Sequence, residues 1–322
     1  MVGMRLETMR GYLSQSVTSN RSGGILNQNK LNGLLAEVDF RRHLEREGYL
    51  NRISLGGWIA RRVGAGEFGR QTVAVFPELF SDGSSLTLGR ARQEPSRGLH
   101  TICATFHQIG IASFFCTPQI EQVDSAEGLR WDAVQLGTPI HSDFIPLQDA
   151  LSPFLLPRGR RYNFLTYKTD VSRIPDANVA EEFAKEHLRV QLQTAFMSEL
   201  SDIDGIFWGS QFTYPLEIKE KTAGSDRNLG EYFGIDLGPF VKLAYYAAKR
   251  GNLHSLFVVR EIEDTTSRAL KQWWFITFDS LAQFASWNQQ GGGTNMRGGA
   301  STVVKIPKDQ FRPLTSSELS NL

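Results

Sequence analysis

The chain of 322 residues has little of what marks secreted and membrane proteins. Its two cysteines, Cys103 and Cys116, are too few for a disulfide framework, and neither has a Cys or His partner at zinc-site spacing. No run of eighteen apolar residues is present, so we expect no membrane-spanning helix. The N-terminal residues lack the continuous apolar stretch of a secretory signal. These absences predict a cytoplasmic protein with no membrane partner.

An excess of charge of one sign is also missing. Lys and Arg number 35 against 34 Asp and Glu, which gives a formal net charge of +1. A broad basic surface that binds nucleic acid regardless of sequence is therefore disfavoured, although a local basic groove stays open. Candidates for such a groove are Arg61, Arg62, Arg158, Arg160 and Arg161, for which solvated surface is the alternative.

Motifs of several enzyme classes are absent. The six histidines are scattered without HExxH pairing, and no GxSxG turn is present, which disfavours histidine-metal enzymes and serine hydrolases. The Gly-rich stretch 291–301 lacks the pattern GxxxxGK[ST], so no nucleotide cofactor is expected. Within this stretch Arg297 is a candidate for contacting a phosphate, and a flexible loop is the alternative.

The first half of the chain divides into a helical part and a β-rich part. A helix is predicted over residues 30–47, between a capping Asn29 and a terminating Gly48. Residues 50–175 hold short β-like runs separated by Gly, Pro, Ser and Asp, without a long helical pattern. We therefore predict a helical segment 1–49 followed by a β-rich insertion.

The remaining residues, 176–322, alternate between helices and strands. The predicted elements are a helix at 179–199, strands at 203–208 and 214–221, a helix that begins near Pro239 and closes at Gly251, and strands at 255–262 and 273–278. The short connection between the first two strands favours an antiparallel pair. This order predicts an α/β fold with a mixed central β-sheet flanked by helices.

One spacing in this half carries chemistry, because Asp204, Glu217 and Lys219 form the pattern D-x12-E-x-K. Side chains alternate along a strand, so Glu217 and Lys219 share one face while Leu216 and Ile218 share the other. If the paired strand places Asp204 alongside, two carboxylates and an amine converge. Carboxylates suit Mg²⁺, which polarises a phosphoryl oxygen and activates water, and a lysine stabilises the developing charge. A surface ion pair on an amphipathic strand is the alternative.

The segments SDIDGIF and YPLEIKEK, which carry these residues, resemble the motif of the PD-(D/E)XK nuclease superfamily. That superfamily includes most type II restriction endonucleases and the archaeal Holliday junction resolvases. The resemblance covers roughly residues 179–262 and implies a restriction endonuclease-like core, Mg²⁺ binding by Asp204 and Glu217, and assistance of the water nucleophile by Lys219. Ile203 stands where the family name has proline. Asp202, on the same strand face as Asp204, is an alternative metal ligand.

Many members of this superfamily also place a glutamate on an early helix near the metals. The segment GLLAEVDFRRHLEREGY is similar to the helix of the resolvase-type members and puts Glu37 in the matching place. Glu37 lies one turn before Phe40, so this carboxylate interrupts an apolar stripe. An ion pair with Arg41 is the alternative, and both interpretations stay open. Glu181 is a rival, but Asn178 and Glu181 form a capping-box pattern.

These observations predict a Mg²⁺-dependent, sequence-specific endonuclease that cuts double-stranded DNA and leaves 5′-phosphate ends. Segment 1–49 would be the helical part of the nuclease core and 176–322 its catalytic part, while 50–175 would read bases. Residues of suitable type there are Arg90, Arg92, Gln93, Arg97, Arg158, Arg160 and Arg161. Palindromic sites and the resemblance favour a homodimer. The alternatives are a structure-specific or repair nuclease, a DNA-binding protein without catalysis, and an enzyme acting on a small phosphorylated substrate.

Overall fold

The computed structural model describes residues 4–17, 25–62, 72–81, 89–91, 97–120, 123–137, 143–162, 164, 168–248, 251–286, 290–294 and 300–322. The chain separates into two compact units. The first unit comprises Met1–Leu35 and Ser54–Ile203, and the second comprises Ala36–Ile53 and Asp204–Leu322. The division into segments 1–49, 50–175 and 176–322 remains a prediction. Most residues of the unit that contains Glu217 lie in Asp204–Leu322.

Both units contain helices. In chain order they are α1 (Leu6–Ser16), α2 (Ile25–Arg46), α3 (Arg97–Gln108), α4 (Leu147–Leu151), α5 (Asp176–Ala195), α6 (Leu237–Ala247), α7 (Phe278–Phe284) and α8 (Ser316–Leu319). The helix predicted from residue 30 begins five residues earlier, and Gly48, with a φ of 83°, follows its end. No helix in the described ranges is long and apolar enough to cross a membrane.

The strands build a mixed α/β fold. In chain order they are β1 (Ile53–Arg62), β2 (Thr72–Pro77), β3 (Leu79–Ser81), β4 (Gly89–Ala91), β5 (Ala112–Pro118), β6 (Trp131–Leu136), β7 (Ile145–Pro146), β8 (Leu156–Pro157), β9 (Phe196–Trp208), β10 (Thr213–Lys221), β11 (Gly224–Asp226), β12 (Gly230–Asp236), β13 (Leu256–Ile262), β14 (Leu270–Thr277), β15 (Gln290–Thr294), β16 (Ala300–Pro307) and β17 (Arg312–Pro313). Parallel and antiparallel pairs occur together, so the predicted α/β class with a mixed sheet and flanking helices is confirmed.

The first unit contains a sheet in the order β1-β2-β5-β6-β7, in which only β2 and β5 run parallel. The prediction that residues 50–175 hold no long helix is wrong, because α3 spans 12 residues. Its apolar positions Leu99, Ile102, Cys103 and Phe106 recur at helical spacing, and all four are fully buried. The signal for this helix was therefore present in the sequence.

The helix predicted over 179–199 is also displaced. It runs from Asp176 to Ala195, and β9 begins at the next residue because Phe196 and Met197 pair with β8. Pro175 occupies the N-cap position, so Asn178 lies inside the helix and does not cap it. Asn178 still donates a side-chain hydrogen bond to Glu181 at 3.2 Å.

In the second unit, β10 lies between an antiparallel β9 and a parallel β13, and β14 and β17 continue the sheet. A separate four-stranded sheet has the order β11-β12-β16-β15. None of these four strands was predicted, and neither was β17 of the main sheet. The turn at Gly230, with a φ of 71°, is the local signal that marks the β11–β12 hairpin.

Candidate active site

Strand β10 carries different side chains on its two faces. Leu216 and Ile218 lie 1% and 2% exposed in an apolar cluster with Phe40 and Leu44 of α2. Glu217 and Lys219 project from the opposite face, since side chains alternate along a strand. The prediction that Leu216 and Ile218 share an apolar face of the strand is confirmed.

The face that carries Glu217 continues as an apolar layer on the neighbouring strand. In the parallel register Glu217 lies beside Phe257 and Lys219 beside Val259. Phe257 and Val259 are fully buried in a cluster that includes Leu243 of α6. The two charged residues therefore stand where the apolar layer would otherwise extend. Burial of a charge in such a place is costly unless the charge is paired.

Asp204 is held against β10 by the antiparallel pairing of β9. The recorded register ends at Leu216 opposite Gly205, one residue before Asp204 and Glu217 would face each other. Asp204 is 3% exposed, and its Oδ2 accepts a hydrogen bond of 2.7 Å from the backbone N–H of Ile218. The predicted antiparallel pair is thus confirmed, and it brings a second buried carboxylate next to β10.

Glu217 lies between two ammonium groups. Its side chain is 2% exposed, its Oε1 lies 2.6 Å from Lys219 Nζ, and its Oε2 contacts Lys242 Nζ of α6. Lys242 is not predictable from the sequence as a partner of Glu217, because the contact depends on how α6 packs. The only local signal is a single lysine in the otherwise apolar helix LGPFVKLAYYA.

A third lysine on this face of β10 has a perturbed proton affinity. Burial lowers the pKa of Lys221, and the negative charge of Asp236 opposes that shift. Asp236 occupies the N-cap position of α6 without a side-chain capping hydrogen bond. Its charge acts on Lys221, so α6 and the preceding residue supply a carboxylate and an ammonium to the same cluster.

The remaining charged residue of the motif segment has a structural environment. Glu220 lies on the face of Ile218 and contacts Arg260 at 2.9 Å and also Arg268. Arg260 Nε in turn donates to Asp39 of α2 at 2.8 Å. This chain of ion pairs ties α2 to β10 and β13, so Glu220 is explained without chemistry.

The predicted role of Glu37 remains a prediction. Glu37 is half-buried on α2. Its neighbours Ala36 and Phe40 pack on the sheet face of Leu216, not on the face that carries Glu217. The structure thus gives Glu37 a helix position next to the core of the second unit.

Four further predicted site residues, Asp202, Arg158, Arg160 and Arg161, belong to the first unit. Asp202 is exposed on β9, and Arg158, Arg160 and Arg161 are exposed after β8. Arg160 Nε donates to the backbone oxygen of Gln193 at 2.5 Å, which fixes this segment against the end of α5. Their metal-binding and DNA-binding roles remain predictions. Arg297, Arg92 and Gln93 lie outside the described residues.

The donor set fits a divalent cation that prefers oxygen. Asp204 and Glu217 are buried carboxylates on adjacent strands, and Glu217 Oε2 accepts no hydrogen bond of good geometry from the described residues. Mg²⁺ is commonly held by one or two protein carboxylates and keeps several waters. Over the described ranges, no three His, Cys, Asp or Glu side chains cluster as a metal site. The donor set that the structure does show is two buried carboxylates accompanied by lysines.

Comparison of the chain with protein-family models, with curated proteins and with solved structures finds no match in any of the three.

Proposed function

We propose that the chain is a Mg²⁺-dependent, sequence-specific endonuclease that cuts double-stranded DNA and leaves 5′-phosphate ends. The observation that carries this proposal is the environment of Glu217. A carboxylate that is 2% exposed contacts two lysines and lies next to a second buried carboxylate on the adjacent strand. Carboxylates and lysines that converge in this way are candidates for an active site.

The roles of the residues follow from their exposure. Asp204 and Glu217 would hold Mg²⁺, which supplies the Lewis-acid chemistry of phosphodiester hydrolysis. Lys219 has a side chain that is 37% exposed, so its ammonium reaches the solvent side of the cluster. There it can donate hydrogen bonds to the scissile phosphate and to the attacking water. Attack opposite the 3′ oxygen breaks the P–O3′ bond and leaves the phosphate on the 5′ end.

The same proposal includes a homodimer in the cytoplasm that acts on palindromic sites. The near-neutral net charge of +1 favours recognition of DNA through local contacts and disfavours binding through a uniformly basic surface. Arg158, Arg160 and Arg161 are exposed residues of the type that such contacts need.

The test is incubation of the purified protein with unmethylated phage DNA, with Mg²⁺ and with EDTA. Discrete fragments that form only with Mg²⁺ are expected, and sequencing of their ends gives the site and the 5′-phosphate. A Mg²⁺-dependent smear, or cleavage of branched DNA alone, would replace sequence specificity with a repair or structure-specific activity. DNA binding without cleavage of any of these substrates would overturn the proposal of an enzyme.

A further inference from the structure

Lys242 has no role in the proposed reaction, yet it contacts the central carboxylate. Its side chain is 14% exposed, and its Nζ lies against Glu217 Oε2 while Lys219 lies against Oε1. Glu217 Oε2 accepts no well-oriented hydrogen bond from the described residues, so the contact with Lys242 is mainly ionic. Each oxygen of Glu217 thus faces a different ammonium group.

Three lysines, Lys219, Lys221 and Lys242, accompany the carboxylates of Asp204, Glu217 and Asp236. A divalent cation bound by Glu217 would stand close to the ammonium groups of Lys219 and Lys242, and the repulsion between these like charges is unfavourable in a partly dry site. A cation that binds Glu217 therefore gains affinity if one ammonium moves away.

Among the three lysines, Lys242 is the one that a metal would displace. Lys219 lies next to Oε1, on the same strand as Glu217. Lys221 responds to the charge of Asp236. Lys242 contacts Oε2 from helix α6 through a flexible four-carbon stem, which allows its ammonium to swing away while the helix stays in place.

We infer that Lys242 is a counter-ion for Glu217 in the metal-free protein and competes with the divalent cation for Glu217 Oε2. Lys242 is then a positioning residue: its ion pair holds the buried carboxylate of Glu217 in place, and it weakens metal binding. The inference rests on the metal site of the proposed function, but not on which nucleic acid is cut.

The competition predicts that loss of Lys242 raises the affinity of the protein for a divalent cation. Replacing Lys242 by methionine removes the competing charge, so Mn²⁺ should bind the free protein about tenfold more tightly, within the usual range of coupling between sites. Isothermal titration with Mn²⁺ in the absence of DNA measures this. K242R keeps the charge and should retain the wild-type affinity.

A matched control is K271M. Lys271 lies 3.2 Å from Glu261, another buried carboxylate of the second unit with two lysine contacts. K271M changes the net charge equally but leaves Glu217 untouched, so its Mn²⁺ affinity should equal that of the wild type. Equal tightening in K271M and K242M would show a general charge effect and overturn the inference.

A merely structural role for Lys242 gives a different result. If Lys242 only supports the fold, K242M should bind Mn²⁺ with unchanged or weaker affinity, and either outcome overturns the inference. Thermal unfolding adds a second readout: Mn²⁺ should raise the Tm of K242M more than that of the wild type. If K242M does not fold, K242Q serves in both measurements with the same expectation.

The inference and the proposed function fail separately. Tighter Mn²⁺ binding by K242M together with no DNA cleavage by the wild type would retain the counter-ion and reject the nuclease. Mg²⁺-dependent cleavage by the wild type without the affinity shift would do the reverse. If neither the wild type nor the Lys242 variants bind Mn²⁺, the counter-ion is rejected, whatever the cleavage assay shows.

Discussion

At the scale of single residues, the site is defined by charges placed where apolar side chains belong. Glu217 and Lys219 lie in register with Phe257 and Val259, which are fully buried. Removing one partner of a buried ion pair commonly costs about 3–5 kcal/mol, because the remaining charge is left uncompensated. The proposed function gives these costly charges a purpose, because carboxylates and an ammonium group suit hydrolysis of a phosphodiester.

The substitution Lys219→Ala should abolish cleavage and leave DNA binding nearly unchanged. The exposed ammonium of Lys219 is the group proposed to stabilise charge on the phosphate, and loss of one such donor reduces rates by about 10²–10³-fold. Single-turnover cleavage and a gel-shift titration measure the two effects. Lys271→Ala is the control. A Lys219→Ala protein that cuts at a near-normal rate would remove Lys219 from the active site.

The alternation of side chains was enough to predict that Glu217 and Lys219 share a face, because period two is a property of any strand. The partner Lys242 could not be predicted in this way. It lies 23 positions after Lys219 and reaches Glu217 only through the packing of α6. The ion pairs of Glu220 with Arg260 and Arg268 were hidden for the same reason.

At the scale of elements, helix α3 packs closely against the residue that follows strand β6 in the first unit. Gly137, just after β6, has a φ of 85°, and a Cβ built there would lie 2.5 Å from the backbone oxygen of Cys103 in α3. Gly110, just after α3, has a φ of 80°, but a Cβ built there would meet no atom within 4 Å. Alanine at either position would adopt a strained left-handed backbone, but only alanine at position 137 would also clash with a neighbouring atom.

Gly137→Ala should destabilise the protein by roughly 3 kcal/mol, the sum of a left-handed backbone and an overpacked contact. Gly110→Ala should cost about 1 kcal/mol, because only the backbone term applies. Urea unfolding followed by circular dichroism gives both values. Equal losses in the two variants would contradict the close approach of α3 to the residue after β6.

The elements that could be predicted are those with a strong local pattern. Strands β10 and β13 lie within one residue of their predicted bounds, because alternating apolar side chains mark β10 and a buried apolar run marks β13. Strand β14 begins three residues earlier than predicted, at Leu270, because its first residues are exposed. The start of β9 was missed because its residues 198–201 are mostly polar, and pairing of Phe196 and Met197 with β8 decides their conformation. Hairpin β11–β12 lacks a strong local pattern, because β11 has only three residues, Gly224–Asp226, and the turn at Gly230 is its main signal.

At the scale of the whole molecule, stability in the first unit depends on a buried neutral histidine. His187 on α5 is 1% exposed, accepts a hydrogen bond of 2.9 Å from Trp131 Nε1 at its Nδ1, and lies 3.0 Å from the oxygen of Ala126 through its Nε2. A neutral ring with the proton on Nε2 satisfies both contacts. A second proton on Nδ1 would remove the acceptor of this hydrogen bond and would point at the N–H of Trp131, so two donors would repel each other.

Acid should therefore destabilise the protein below pH 6.5. Burial lowers the pKa of His187 from 6.5 to about 4, so the folded state binds fewer protons than the unfolded state in this window. The contribution is complete above pH 6.5 and is lost as the pH falls towards 4, on the order of 3 kcal/mol in total.

Urea unfolding between pH 7 and 5 measures this dependence above the range in which Glu186 contributes. Burial would raise the pKa of Glu186, but ion pairs with Lys30 and Arg189 outweigh it and lower the pKa from 4.5 to about 2, so its contribution is lost only as the pH falls through about 4.5 and below. His187→Gln keeps one acceptor and one donor, and its free energy of unfolding should vary less with pH in this window. A variant with the same pH dependence as the wild type would rule out His187 as the cause.

The most direct test of the central claim compares two buried carboxylates on neighbouring strands. Glu217 and Glu261 are 2% and 1% exposed, and each contacts two lysines. The measurement is the single-turnover rate of Mg²⁺-dependent DNA cleavage by Glu217→Gln and Glu261→Gln, corrected for the folded fraction. We expect Glu217→Gln to lose about 10²-fold or more and Glu261→Gln to stay near the wild-type rate. Equal rates in the two variants would contradict an active site at Glu217.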